Sequence, residues 1–284
     1  MAAKASRPKL TNAARPATYD VEAYNERGEM VPTAIAGEHP LTLYLDKREI
    51  VTLMTLGHAP EALAIGYLRN QRLVDSIDDI AAVQVDWETA SVAITTRSKR
   101  DLRKKMQKRT VTTGCGQGTV FGDLMEEIDQ VKLRDDVRLS DAQLFDLIEK
   151  VRKHETIYKQ AGAVHGCALA RATGEASAEI MMFIEDVGRH NAVDAIAGIM
   201  WLEAIDGADK IFYTTGRLTS EMVIKCAQMR IPFLVSRSGL TQMGHEIASK
   251  VGLTMLGRAS GKHYLAFTGQ QRLVRTTAQP TALA

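Results

Sequence analysis

From Ser140 onward the chain alternates stretches of helical period with short apolar runs, and no other feature restricts its folding as strongly. Ser140-Asp141-Ala142-Gln143 is a capping box, and the apolar residues Leu144, Leu147, Ile148 and Val151 that follow recur at helical spacing. Ala163–Ala170 and Ala178–Ile184 read as strands about a turn at Gly174, followed by a helix over Asn191–Ile205. Then come a strand at Ile211–Thr215, a helix at Ser220–Met229, a strand at Pro232–Ser236 and a helix at Thr241–Val251. Leu253–Gly257 and His263–Thr268 close the series. Strands separated by helices make parallel crossovers, so the pattern predicts an α/β layered sheet with helices on both faces.

The first hundred residues follow a different rhythm. Thr18–Tyr24 alternates and reads as a strand, and Gly37–Pro40 reads as a hinge. Leu41–Leu45 and Ile50–Met54 form a hairpin across the polar link Asp46–Glu49, and Val83–Trp87 with Ser91–Thr96 form another. Between them Ala59-Pro60-Glu61 opens a short helix with Leu63, Gly66, Tyr67 and Leu68 on one face. The organisation expected is a flexible tail at 1–17, a small α+β domain at 18–110, a cysteine loop and linker at 111–139, an α/β domain at 140–270 and a tail at 271–284.

At 284 residues, 45% apolar and 25% charged, the chain has ample material for a packed core. A net charge of +2 gives no bias toward nucleic acid or membrane, and no apolar run is long enough to span a bilayer. Positive charge is concentrated at 97–109. Three scattered cysteines fit a reducing compartment, and the basic start Met1–Lys9 lacks a secretory apolar segment, so a cytoplasmic location is expected.

Val111-Thr112-Thr113-Gly114-Cys115-Gly116-Gln117-Gly118-Thr119 sets one thiol between glycines. The basic run just upstream would lower its pKa and raise the fraction of nucleophilic thiolate. Equally, Cys115 reads as a small turn residue beside a solvated charged face.

Ligands on layered α/β sheets sit beyond the carboxyl ends of the strands. Three polar stretches fall there: Glu185–Asn191, Thr215–Glu221 and Ser236–Ser238. Each joins a strand to a helix and carries one arginine, namely Arg189, Arg217 and Arg237, which together favour an anionic, phosphate-rich ligand. His165, within an apolar strand, reads as a core histidine or a site residue, and His190 as one held by the acidic pair before it. Glu185 and Asp186 read as helix caps or as catalytic carboxylates. Cys167 and Cys226 lie in apolar patterns and read as buried. No His-x-Glu with Pro-Cys-x-x-Cys occurs, which disfavours zinc deaminase chemistry, and no metal site is expected.

Glu185-Asp186-Val187-Gly188-Arg189-His190-Asn191-Ala192-Val193-Asp194, Thr215–Met222 and Ser236-Arg237-Ser238 together resemble the FdhD family of formate dehydrogenase accessory sulfurtransferases. The resemblance runs from Glu38 to about Thr268, and Gly162-Ala163-Val164-His165 is similar to the family's Gly-Gly-Val-His. It implies a cytidine-deaminase-like three-layer C-terminal domain, a homodimer, and a sulfur carrier that serves a cysteine desulfurase and formate dehydrogenase. By the same resemblance Cys115 carries a persulfide, and the substrate to be sulfurated is Mo-bis(molybdopterin guanine dinucleotide). Arg258, Ala259, Ser260, Gly261, Lys262 and His263 would touch that cofactor, with Arg189, Arg217, Arg237, His165 and His190 as further binding residues. The family's usual Cys-x-x-Cys has Gly118 at its second cysteine position here, which implies a single-thiol carrier. The alternative is a cofactor-binding chaperone that delivers the pterin without transferring sulfur.

Overall fold

The computed structural model describes residues 7–97, 110–111, 118–119, 128, 131–154 and 156–275. The N-terminal half contains β1 (Lys9–Leu10), β2 (Thr18–Tyr24), β3 (Met30–Ala36), β4 (His39–Leu45), β5 (Arg48–Thr55), α1 (Pro60–Asn70), β6 (Ile80–Asp86) and β7 (Ser91–Thr96). Five of these strands form one sheet in the order β1-β6-β7-β4-β5, while β2 and β3 pair only with each other. Both expected hairpins are present. The β4–β5 turn places Asp46 and Lys47 at φ of 47° and 70°, and the Asp46 carboxylate accepts from Thr96 N at 2.8 Å. That bond ties the turn to the neighbouring strand.

β8 (Thr110–Val111) and β9 (Gly118–Thr119) follow, then β10 (Leu139–Ser140), α2 (Asp141–His154), α3 (Ile157–Ala161), β11 (His165–Thr173) and β12 (Ser177–Asp186). The chain continues through α4 (Arg189–Leu202), β13 (Lys210–Thr214), α5 (Ser220–Gln228), β14 (Phe233–Ser236) and α6 (Gln242–Val251). It ends with β15 (Thr254–Ser260), β16 (His263–Thr268) and β17 (Leu273–Val274). The capping box forms in both directions: Ser140 N donates to Gln143 Oε1 at 2.9 Å and Gln143 N to Ser140 Oγ at 3.2 Å.

The second sheet runs β12-β11-β13-β14-β15-β16, with β13, β14 and β15 mutually parallel and the outer pairs antiparallel. Side chains alternate along each strand. Ala168, Ala170, Tyr213 and Val235 therefore meet α2 on one face, while Cys167, Leu169, Phe212 and Leu234 join α4, α5 and α6 on the other. The mixed α/β layering expected from the pattern is present. The same buried cluster continues through α1 into Leu41, Leu43, Val83 and Ile94 of the N-terminal sheet.

Glycine permits this continuity. A Cβ on Gly66 of α1 would collide with the Asp194 carbonyl oxygen of α4, and one on Gly198 with the Ala62 carbonyl oxygen. The two helices cross with their backbones touching.

Residues near both ends make specific contacts. Within 1–17, Lys9 and Leu10 pair with Ala82 and Val83, Ala13 N donates to Glu61 Oε1 at 2.9 Å, and Trp87 Nε1 donates to Ala13 O at 2.6 Å. Backbone pairing with β6 and bonds to the Glu61 and Trp87 side chains hold this segment, not an apolar pattern legible beforehand. Within 271–284, Arg272 is buried and donates to Arg134 O at 2.8 Å and Gly252 O at 2.6 Å. Among the described residues no helix is long and apolar enough to cross a membrane.

Candidate functional site: an arginine-lined sheet edge and its cavity

Because β11 runs antiparallel to both neighbours, its first residue stands where β12 and β13 end. His165 pairs with Asp186, Cys167 with Thr214, and Thr214 in turn with Ser236. All three arginine-bearing stretches therefore leave the same edge. Thr215 N donates to Gly166 O at 2.9 Å, Ser236 Oγ to Gly216 O at 2.7 Å, Leu218 N to Gly239 O at 3.0 Å and Arg258 N to Ser238 O at 2.9 Å. These bonds join the separate turns into one rim.

The arginines converge on that rim. A Cβ at Gly216 would lie 2.6 Å from Arg189 Cδ, so a side chain there would push the Arg189 stem away from the loop that carries Arg217. Burial lowers the pKa of His165, and Arg189, Arg237 and Arg217 lower it further, which leaves a neutral imidazole among guanidinium groups. Its Nδ1 lies 3.4 Å from Thr215 Oγ1. Arg189 Nε is buried with no hydrogen-bond partner among the described residues. A buried donor left unpaired is costly, and a ligand oxygen at the rim would satisfy it.

His190 is placed differently from expectation. Its Nε2 lies 3.4 Å from Glu221 Oε2 on α5, not against the acidic pair that precedes it in sequence. Burial, followed by Lys225, Arg189, His165 and Arg217, pushes its pKa down to about 2, so the ring is neutral. Behind Glu221, Lys225 Nζ lies 2.9 Å from Asp194 Oδ2, and Asn70 Nδ2 donates to Asp194 Oδ1 at 2.7 Å. This chain of polar groups runs from α1 through α4 and α5 to the rim.

Glu185 and Asp186 have structural tasks. Glu185 accepts from Ile157 N at 2.9 Å and Tyr158 N at 3.0 Å, capping α3 from a strand that follows it in sequence. Asp186 accepts from Thr55 Oγ1 at 2.5 Å, Leu56 N at 3.3 Å, Gly188 N at 3.2 Å and Asn191 Nδ2 at 2.9 Å. It fixes the entry to α4 against the end of β5. Burial raises its pKa against those bonds.

Beside the rim, on the α2 face, is a cavity of about 590 Å³ lined by Phe145, Ile148, Arg152, Tyr213, Arg237 and Ala259–Lys262, with Asp146 and Glu149 at its wall. That volume suits a small-molecule ligand. Both carboxylates are engaged: Lys150 Nζ donates to Asp146 at 2.7 Å and Lys153 Nζ to Glu149 at 2.8 Å. Arg152, Arg237 and Lys262 thus leave the wall basic toward an anion. Arg237 also stacks over Tyr158, 5.3 Å from the ring centroid, and is the residue common to rim and cavity.

Five of the sequence-derived residues, Arg237, Ala259, Ser260, Gly261 and Lys262, therefore line one cavity, while Arg189, Arg217, His165 and His190 gather at the rim. Arg258 and His263 are exposed on β15 and β16 and do not line the cavity. Sequence reasoning missed Phe145, Arg152 and Tyr213. Phe145 stands off the apolar stripe of α2, a signal that could have marked it. Cys167 and Cys226 are sealed in the core, and burial pushes the Cys167 thiol up to about 12, away from nucleophilic use. Cys115 and the basic residues 98–109 lie outside the described residues; Thr110–Val111 pairs with Gly118–Thr119, closing the ladder that brackets the cysteine stretch.

The model of the FdhD/NarQ family matches residues 36–274. A protein of Wolinella succinogenes named sulfur carrier protein FdhD is 27% identical over 83% of this chain and 81% of its own length. One of the same name from Sulfurisphaera tokodaii is 29% identical over 88% of this chain and 95% of its own length. The crystal structure of a protein from Desulfotalea psychrophila, assigned as a formate dehydrogenase accessory protein, superposes with a TM-score of 0.73 at 24% identity. It covers 91% of this chain and 100% of its own length, so the fold is shared.

Proposed function

The chain belongs to the FdhD/NarQ family, and on that premise we propose that it is a sulfur carrier in formate dehydrogenase maturation. The Cys115 thiolate attacks the outer sulfur of a persulfide on a cysteine desulfurase. The donor S–S bond breaks, a Cys115 persulfide forms and the donor thiolate leaves. In the second step the Cys115 S–S bond breaks, the Cys115 thiolate leaves and the outer sulfur is delivered at the sulfide level to Mo-bis(molybdopterin guanine dinucleotide), bound as substrate before formate dehydrogenase receives it. The two electrons are supplied by a thiol reductant or by the reduced metal of that substrate. The observation that carries this reading is the convergence of Arg189, Arg217 and Arg237 on His165, with Arg237 continuing into a basic cavity of about 590 Å³. That arrangement suits a ligand with several phosphates and a flat ring body.

Within this reading residues 18–110 and 140–270 act as two units, the second related to cytidine deaminases, and the protein works as a cytoplasmic homodimer. The mixed six-stranded sheet with helices on both faces supports the relation.

The test is incubation with a cysteine desulfurase and cysteine, followed by peptide mass analysis. A gain of about 32 Da confined to Cys115 is expected. Its absence with a competent donor, or maturation that survives Cys115→Ala, would leave the non-transferring chaperone as the account.

A further inference from the structure

The β2–β3 hairpin begins at Thr18 and falls almost wholly outside the matched residues 36–274. It packs against α3, whose Tyr158 stacks on Arg237, but no residue of the hairpin lines the cavity. It is nevertheless a built element. At its tip Asn25 Oδ1 accepts from Arg27 N at 2.9 Å and Glu29 N at 3.0 Å, Gly28 N donates to Asn25 O at 3.0 Å, and Gly28 takes a φ of +75°. At its base Tyr19 Oη lies 3.1 Å from His39 Nε2, and Gly37 N donates to Ala17 O at 2.8 Å.

The register decides what the arm presents. Asp20 stands opposite Ala34, Glu22 opposite Pro32 and Tyr24 opposite Met30, so all six share one face of the ribbon. Tyr24 is 75% exposed and Met30 47%. A two-stranded ribbon cannot bury such a face alone, and an exposed apolar pair rimmed by carboxylates is the pattern of an interaction site. Across Thr18–Ala36 the carboxylates Asp20, Glu22, Glu26 and Glu29 face one cation, Arg27, which pairs with Glu26 at 3.8 Å.

We propose that this face docks a partner protein through a cationic segment in which lysines or arginines flank an apolar side chain. The apolar side chain packs on Tyr24 and Met30 while the cations meet Asp20 and Glu22. Charge selects among occupants. Anionic lipid headgroups and nucleic acid phosphates are repelled by the carboxylates. A second copy laid arm to arm would set Asp20 and Glu22 against their own equivalents, and like charges directly opposed are destabilising. Because the tip and base are already closed by hydrogen bonds, docking orders little new chain.

The experiment replaces Tyr24 with a photoreactive benzoylphenylalanine in the full chain and maps the cross-linked peptides after irradiation in cells. Adducts on a lysine- or arginine-bearing stretch of a different protein are expected. That stretch, made as a synthetic peptide, should bind the purified protein with an affinity that falls as salt rises. The double charge reversal Asp20→Lys, Glu22→Lys should cut adduct yield about tenfold or more. Circular dichroism and Cys115 sulfur loading, read separately, should not change, which keeps this inference distinct from the sulfur-carrier reading. Adducts only on a second copy, on lipid, on nucleic acid or on acidic stretches would overturn it. So would no adduct at all, or a yield indifferent to charge reversal.

Discussion

Lys225 Nζ lies 2.9 Å from Asp194 Oδ2 with the two side chains 2% and 0% exposed, an ion pair that joins α5 to α4 inside the core. Removing one partner strands the other charge. Lys225→Met should therefore lower unfolding free energy by about 3–5 kcal/mol. Adding Asp194→Asn should restore part of the loss, because the fully buried charge is then gone and only the partly exposed Glu221, 3.4 Å from Lys225 Nζ in the native chain, lacks its cation. Urea unfolding of the two variants reads the difference, and equal losses would show that the charge is not what matters.

The crossing of α1 and α4 permits no side chain at its centre. Gly66→Ala or Gly198→Ala would drive a Cβ into a carbonyl of the facing helix and separate the two. The expected cost is about 3 kcal/mol or more, at the upper end for overpacking. Thermal denaturation checks it, and a melting point unchanged in both variants would contradict the backbone contact.

His190 makes stability depend on pH in a defined direction. Its folded pKa, about 2, lies below the ordinary 6.5, so the unfolded chain takes up a proton that the fold refuses. The contribution is complete above pH 6.5 and is lost as pH falls toward about 2. His190→Asn should flatten the stability profile between pH 6.5 and 5 by up to about 1.4 kcal/mol per pH unit. His58 and His165 are lowered in the same direction and would retain their share in that variant. Denaturant midpoints measured across this range decide the matter.

Arg237 belongs to both rim and cavity, so if the proposed pterin guanine dinucleotide is the ligand, Arg237→Ala should weaken its binding by about tenfold or more, the range for a lost charge-assisted hydrogen bond. Arg258→Ala, on the exposed strand outside the cavity, should have little effect. Calorimetric titration distinguishes them, and equal losses would refute the placement of the ligand.

The capping box offers a milder test. Ser140→Ala leaves Gln143 N without its side-chain acceptor and should cost about 1 kcal/mol, read in the same urea experiment.

Several of these features were legible before any coordinates. The reciprocal bonds of Ser140 and Gln143, the β4–β5 hairpin and the placement of Arg189, Arg217 and Arg237 just past strands all follow from short-range rules. β3 escaped notice because Pro32 interrupts a run with little alternation, and β1 because two residues carry no period. Two motif carboxylates, Glu185 and Asp186, could be read as caps or as catalysts. Only their partners, Ile157, Tyr158, Thr55 and Asn191, settle the question.

By itself the sequence determined the order of the longer helices and strands, the capping box of α2 and the basic loops beyond the strands, because each depends on residues a few positions apart. The tertiary structure alone decided that Gly66 meets α4, that Glu185 caps α3, that His190 answers to Glu221, and that Phe145 and Arg152 face the turn at Gly261 across one cavity. Those pairings join segments far apart in the chain. They follow from how layers pack, and no local periodicity encodes which face of one layer will meet which face of the next.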